Sequence, residues 1–113
     1  AAGEPASADE GFTPEVIVRE AGIEITNGRS VIASIPNTDA GEFDLVTLSD
    51  YMVELKQTYP QQDAASVLME AKIPYDYLIQ VMDIVRAVEV PTGNEDEVEL
   101  YALFSEISVG DAP

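Results

Sequence analysis

The sequence predicts a small α+β domain: a mixed sheet with two helices packed on one face, in the order strand, strand, strand, helix, strand, helix, strand. Short runs of β-branched residues alternate with polar residues in the first third of the chain, as in strands that bury one face. Two longer segments repeat their apolar residues at helical spacing. The 113 residues are 46% apolar, which is enough for one hydrophobic core.

The first three strands are separated by turn signals. Ala21-Gly22 divides the first two runs, which we expect to form a hairpin. Asn27-Gly28 is a strong turn signal because both residues tolerate positive φ. Pro36 ends the third run, since proline has no N–H to donate to a sheet. The predicted strands are 16–20, 23–26 and 31–35.

The first helix follows a polar loop at 37–42. Thr47 with Asp50 three residues later resembles a capping pair, and Pro60 ends the helix. Its apolar residues repeat at the spacing of one helical face, and we interpret the two tyrosines among them as core or rim residues rather than ligand-stacking groups. This stripe consists of Leu48, Tyr51, Met52, Leu55 and Tyr59.

The second helix, predicted from Pro74 to Val88 after a buried strand at 66–71, has very little polar surface. Pro74 fits the first helical position, where its missing N–H costs nothing. Only one narrow polar stripe is present, formed by Asp76, Gln80 and Asp83. Such a helix must be covered on more than one side, by the sheet and by either the first helix or another chain.

The remaining segments are predicted from composition. We expect an acidic loop at 89–97, a final strand at 98–104 that completes a βαβ unit, and a tail at 109–113. Residues 1–13 are small, polar and patternless, as in a flexible linker or an expression remnant. The folded domain is therefore predicted to span 14–108.

The charge balance excludes several functions. Lys and Arg number 5 against 22 Asp and Glu, so the net charge is −17. Nucleic-acid binding is excluded because it depends on clustered Lys and Arg. Adhesion to an anionic membrane surface is disfavoured for the same reason. The acids serve solubility or form a landing surface for a basic partner.

The residue inventory predicts no enzyme, cofactor or metal site. Without Cys or His, the chain has no thiol nucleophile, Ser–His pair or structural zinc site. The acidic run 95–99 lacks the spacing of a calcium loop. Acid–base catalysis by paired carboxylates has no aromatic cleft to support it. Asp83 and Arg86, three apart on a helix, are interpreted as a surface ion pair.

The segment from Ile73 to Ala87 resembles the ExbD/TolR family of biopolymer-transport proteins. In that family's periplasmic domain, a strand and a short turn lead to a helix with a Tyr near its start and Val-Met-Asp further along. Tyr75 and Val81-Met82-Asp83 keep this spacing. Met69-Glu70 stands where Ala-Asp is usual, and Val88-Glu89 where Ala-Gly is usual. The resemblance extends over about 16–104, although the Tyr to Val-Met-Asp segment is its specific part.

The resemblance implies a non-catalytic periplasmic domain of an inner-membrane complex driven by the proton-motive force. It implies a homodimer whose partners are an ExbB- or TolQ-like channel protein, a TonB- or TolA-like transducer and the cell wall. Membrane attachment would use an N-terminal helix that is absent from this sequence. The expected partner or dimer contacts, all on the second helix, are Tyr75, Ile79, Met82, Asp83 and Arg86. The alternative is a free-standing acidic adaptor that binds a basic protein.

Overall fold

The computed structural model describes residues 13–94 and 96–113 as an α+β fold with a five-stranded mixed sheet, a separate two-stranded sheet and two helices. The predicted fold class is confirmed. Most of the predicted linker, and Glu95 in the predicted acidic loop, lie outside the described residues. The elements are β1 (Glu15–Arg19), β2 (Gly22–Thr26), β3 (Val31–Pro36), α1 (Leu45–Thr58), β4 (Ala64–Met69), α2 (Tyr75–Arg86), β5 (Ala87–Pro91), β6 (Val98–Ala102) and β7 (Glu106–Asp111).

The larger sheet has the strand order β3-β2-β1-β4-β7. The first three strands form an antiparallel meander, whereas β4 runs parallel to both β1 and β7. Parallel neighbours need a crossover connection, and α2 lies in the connection between β4 and β7. The β5–β6 hairpin is inserted into that same connection.

One face of the sheet carries the core. Val16 is the Cα partner of Ile25 on β2 and of Val67 on β4, and all three side chains are fully buried. The buried side chains of both helices join this cluster, so both helices cover the same face of the sheet. They are Leu48, Met52 and Leu55 on α1, and Leu78, Val81 and Val85 on α2.

The cap of α1 lies three residues before the predicted one. Asp44 is the N-cap: its Oδ1 accepts from the Thr47 N–H at 3.1 Å and its Oδ2 from the Thr47 hydroxyl at 2.8 Å. The prediction that Thr47 caps the helix with Asp50 is wrong, because Asp44 provides the stronger acceptor and Thr47 is already inside the first turn. The apolar stripe is confirmed, with its tyrosines half-buried.

The turn after β2 also differs from its prediction. Of the two residues in this turn signal, Gly28 has a positive φ, of 89°, whereas Asn27 does not and instead uses its side chain. Its Oδ1 accepts from the backbone N–H groups of Arg29 (2.9 Å) and Ser30 (3.0 Å). This is an Asx-type turn, in which the amide side chain replaces a backbone acceptor.

The chain after α2 corrects the predicted order. The helix ends at Arg86 rather than Val88, and 87–91, partly assigned to a loop, form β5. The predicted final strand 98–104 is instead β6, which ends at Ala102 and pairs with β5 rather than joining the larger sheet. The strand beside β4 is β7, which includes residues 109–111 of the predicted tail. Ile107 and Val109 alternate with polar residues in β7, but this signal is short and is weakened by its Glu, Gly and Asp residues.

Candidate functional site

The outward side of α2 presents the five residues predicted as contacts. Their helical spacing places them along one side of the helix. Tyr75 is 70% and Ile79 41% exposed, whereas Met82 is half-buried against the core. Asp83 Oδ1 lies 3.9 Å from Arg86 NH1, with both side chains more than half exposed. Because exposed pairs of this length contribute little to stability, both groups remain available to a partner.

The opposite side of α2 fixes the helix in place. Leu78, Val81 and Val85 enter the core, and Tyr77 packs edge-on against Phe43 with ring centroids 5.0 Å apart. The two helices also contact each other. The first helix therefore supplies part of the cover that the sequence required, and an apolar strip containing Tyr75 and Ile79 stays uncovered.

The start of α2 has no side-chain cap. Pro74 occupies the N-cap with extended φ and ψ of −60° and 144°, one residue before the first helical position that was predicted for it. Its carbonyl accepts from the Tyr77 N–H at 3.1 Å. Asp76 in the first turn and Arg86 in the last turn both have the sign that the helix dipole favours.

A second exposed surface, the β5–β6 hairpin, was missed by the sequence prediction. Every residue of β6 is exposed, including Val98, Leu100 and Tyr101 at 58%, 70% and 51%. The available signal was a pair of alternating runs around the turn-forming Thr92-Gly93-Asn94. The acidity of 89–97 favoured a loop interpretation instead.

The charged side of the sheet is organised by Arg19. Its Nε donates to Glu24 Oε1 at 3.1 Å, and its NH1 donates to Glu70 Oε2 at 3.2 Å. The Glu20 N–H also donates to Glu70 Oε1 at 2.9 Å. That backbone hydrogen bond, helped by Arg19 and opposed by desolvation, lowers the pKa of the Glu70 carboxyl. These groups satisfy one another, so the cluster is structural.

The geometry offers no chemical centre in the part of the chain that the structure describes. No group of three or more acidic side chains among residues 13–94 and 96–113 is arranged to hold a metal ion. A shallow depression of about 290 Å³ beside β2 and β3 is bordered by Arg19, whose guanidinium is already paired. In the same described ranges, no helix is both long and apolar enough to cross a bilayer.

The described residues thus form an α+β fold with two exposed apolar surfaces, one on α2 and one on the β5–β6 hairpin. Comparisons with protein-family models, with curated proteins and with solved structures found no match.

Proposed function

We propose that this chain is the non-catalytic periplasmic domain of a subunit in an inner-membrane energy-transduction complex, of the ExbB–ExbD–TonB or TolQ–TolR–TolA type. In this proposal it acts by dimerising and by binding partners through the outward side of α2. The channel protein and the transducer are the expected partners, with the cell wall as a further one. The complex would use the proton-motive force to drive biopolymer transport.

The observation that carries this proposal is the structural setting of the resembling segment. β4 ends at Met69, a short turn follows, and α2 begins at Tyr75. Tyr75 is therefore the first residue of the helix, and Val81-Met82-Asp83 lies in its second half. This matches the order of strand, short turn and helix that the resemblance implies. The uncovered strip at Tyr75 and Ile79 supports a binding role, because exposed apolar patches commonly mark interaction sites.

Dimerisation through α2 predicts that a charge placed on the strip weakens self-association. Ile79→Lys should convert a dimer of the parent chain into a monomer, because burying a lysine ammonium group at the interface carries a desolvation cost that the neighbouring Asp83 does not fully offset. Sedimentation equilibrium measures this directly. Met82→Lys tests the half-buried edge of the same strip, with circular dichroism to check that the variant folds.

The matched control is Val46→Lys. Val46 lies on α1 and is 74% exposed, so the same charge is added to a more exposed apolar position of the other helix. It should leave the dimer intact. If folded Ile79→Lys protein sediments like the parent, α2 is not the dimer interface.

The adaptor alternative is favoured by the net charge of −17, which suits a basic protein partner without any membrane complex. The encoding reading frame separates the two proposals. An upstream apolar segment of about 20 residues that contains an Asp supports the energy-transduction role, because an acid inside a membrane is functional by default. A reading frame without such a segment would refute that role and leave the adaptor.

A further inference from the structure

The β5–β6 hairpin is anchored at its base. The Leu103 N–H donates to the Arg86 carbonyl at 2.7 Å, and the Phe104 N–H donates to the Val85 carbonyl at 3.1 Å. Both residues after β6 are buried, Leu103 at 4% and Phe104 at 1% exposure. Within the described residues, β5 and β6 pair only with each other. The base is thus fixed to the core while the rest of the ribbon projects from it.

Both faces of this ribbon are apolar, and each carries one carboxylate within the paired strands. Residues that are Cα partners share a face, so one face has Val88 opposite Tyr101 and Val90 opposite Glu99. The other face has, in addition to the alanines at the base, Leu100 opposite Glu89 and Val98 opposite Pro91. A two-stranded ribbon that exposes so much apolar surface gains little stability by itself. Its composition suits contact with another molecule.

The charges decide what kind of molecule fits. A second copy docked hairpin to hairpin would bring Glu89 and Glu99 close to the same carboxylates of its partner. An anionic membrane surface is repelled by the same carboxylates. A segment that combines apolar residues with Lys or Arg covers the exposed valines and leucine and also pairs the carboxylates.

We infer that the β5–β6 hairpin is a docking arm for an apolar, basic segment of another protein. The surface is a different element from the outward side of α2, so it goes beyond the proposed dimer. Tyr101 supplies a large aromatic contact at low entropic cost, which is typical of residues that dominate binding energies. Glu89 and Glu99 supply charge selectivity on the two faces.

The test uses a fluorescein-labelled peptide of alternating Lys and Val and measures its fluorescence anisotropy with the full chain. We expect saturable binding to the parent. The double variant Val98→Ser/Leu100→Ser keeps the net charge but removes two exposed apolar side chains. Its affinity for the peptide should be lower than that of the parent by at least about tenfold. Because both positions are exposed, circular dichroism and the melting temperature should be unchanged.

Two controls separate the hairpin from general acidity. Val46→Ser removes a valine of α1 that is more exposed than Val98, and this variant should bind the peptide like the parent. A peptide of alternating Glu and Val should not bind. Absence of binding to the parent, or equal binding by the parent and the double serine variant, would overturn the inference.

The same variants test two other molecules that could contact the hairpin, a second copy of this chain and a lipid surface. If the double serine variant dissociates an oligomer of the parent but binds the peptide equally well, the hairpin receives a second copy. If the parent binds vesicles of phosphatidylglycerol and phosphatidylcholine through the hairpin but not the peptide, the occupant is a lipid surface. Either result refutes a basic protein segment. Ile79→Lys should bind the peptide normally, so failure of the proposed dimer and failure of this inference are distinguishable.

Discussion

Arg19 joins three strands of the larger sheet and the last described residue. Its side chain pairs with Glu24 on β2 and with Glu70 at the end of β4, and it donates to the Pro113 carbonyl at 3.3 Å. Glu70 in turn accepts from the Glu20 N–H in the turn between β1 and β2. This one cluster therefore fixes the position of β4 beside the hairpin formed by β1 and β2.

The lowered pKa of Glu70 predicts a pH-dependent contribution to folding. Because its pKa in the folded chain is below the ordinary 4.5, the carboxylate stabilises the fold above that value. The stabilisation is lost as pH falls through the folded-state pKa. Glu70→Gln should therefore unfold at lower urea than the parent at pH 7, and the gap should narrow below about pH 4. Urea unfolding followed by circular dichroism measures both midpoints.

Glu54→Gln is the matched control for this measurement. Glu54 is exposed on α1, so the variant removes the same charge without breaking the Arg19 cluster. Its midpoint should follow that of the parent at both pH values. A gap for Glu70→Gln that is equal at pH 7 and pH 3 would contradict the ionic role of Glu70.

Gly22 is required by the close approach of β2 and β3. Its φ is +152°, and a Cβ atom there would lie 2.5 Å from the Ile35 carbonyl oxygen. Gly22→Ala should therefore cost about 1–3 kcal/mol of unfolding free energy, measured by urea unfolding. Gly28→Ala is the comparison: φ is +89°, but no atom beyond the adjacent residues lies within 4 Å of the added methyl group, so its cost should be smaller. Equal losses of unfolding free energy for the two variants would show that the backbone shifts to relieve the contact between the new methyl group and the Ile35 carbonyl oxygen.

At the scale of the elements, α1 illustrates how a local pattern sets a helix boundary. The buried residues Leu48, Met52 and Leu55 recur at helical spacing, and burial of each contributes about 1.5–3 kcal/mol. The start of the helix depends on Asp44, which satisfies a backbone N–H that has no partner within the helix.

The cap position predicts unequal effects of two aspartate substitutions in the same region. Asp44→Ala should reduce the unfolding free energy by about 1 kcal/mol, because it removes the acceptor for Thr47. Asp50→Ala, at an exposed position inside α1, should change it by less than about 0.5 kcal/mol. Chemical denaturation compares the two. A larger loss of unfolding free energy for Asp50→Ala than for Asp44→Ala would instead support the capping pair predicted from the sequence, Thr47 with Asp50.

The elements that could be predicted from the sequence are those with a strong local period. β1, β2 and both helices have alternating or helical apolar spacing, and the outward residues of α2 follow from the same spacing. β7 was not predicted, because only Ile107 and Val109 alternate there and its Glu, Gly and Asp residues disfavour a strand, so the pairing with β4 decides its conformation. The hairpin surface was missed because Val88 continues the apolar pattern of α2 and hides the change to β5.

At the scale of the whole molecule, the excess of acids dominates the electrostatics. Among the described residues, Arg19 and Lys56 are committed to ion pairs, and Lys56 also lies 5.3 Å from the centre of the Phe104 ring. Acidic residues outnumber basic ones, which gives the net charge of −17, and the surplus carboxylates repel one another. This repulsion favours solubility and opposes the folded state.

The charge excess predicts that salt stabilises the fold. Raising NaCl from low concentration to about 0.5 M shortens the range of the repulsion and should raise the melting temperature. A variant that carries Asp50→Asn and Glu54→Gln should respond less, since both acids are exposed on α1. A melting temperature that falls with added NaCl would show that ion pairs outweigh the repulsion.

The central place of β4 also has a kinetic consequence. Its two neighbours, β1 and β7, come from distant parts of the chain, since Glu15 pairs with Ser66 and Ala64 with Glu106. The meander of β1, β2 and β3 closes only short loops, whereas the pairing of β4 on either side must close long ones. We therefore expect the meander to form early, while β4 leaves its hydrogen-bonding edges open to other chains until β7 arrives.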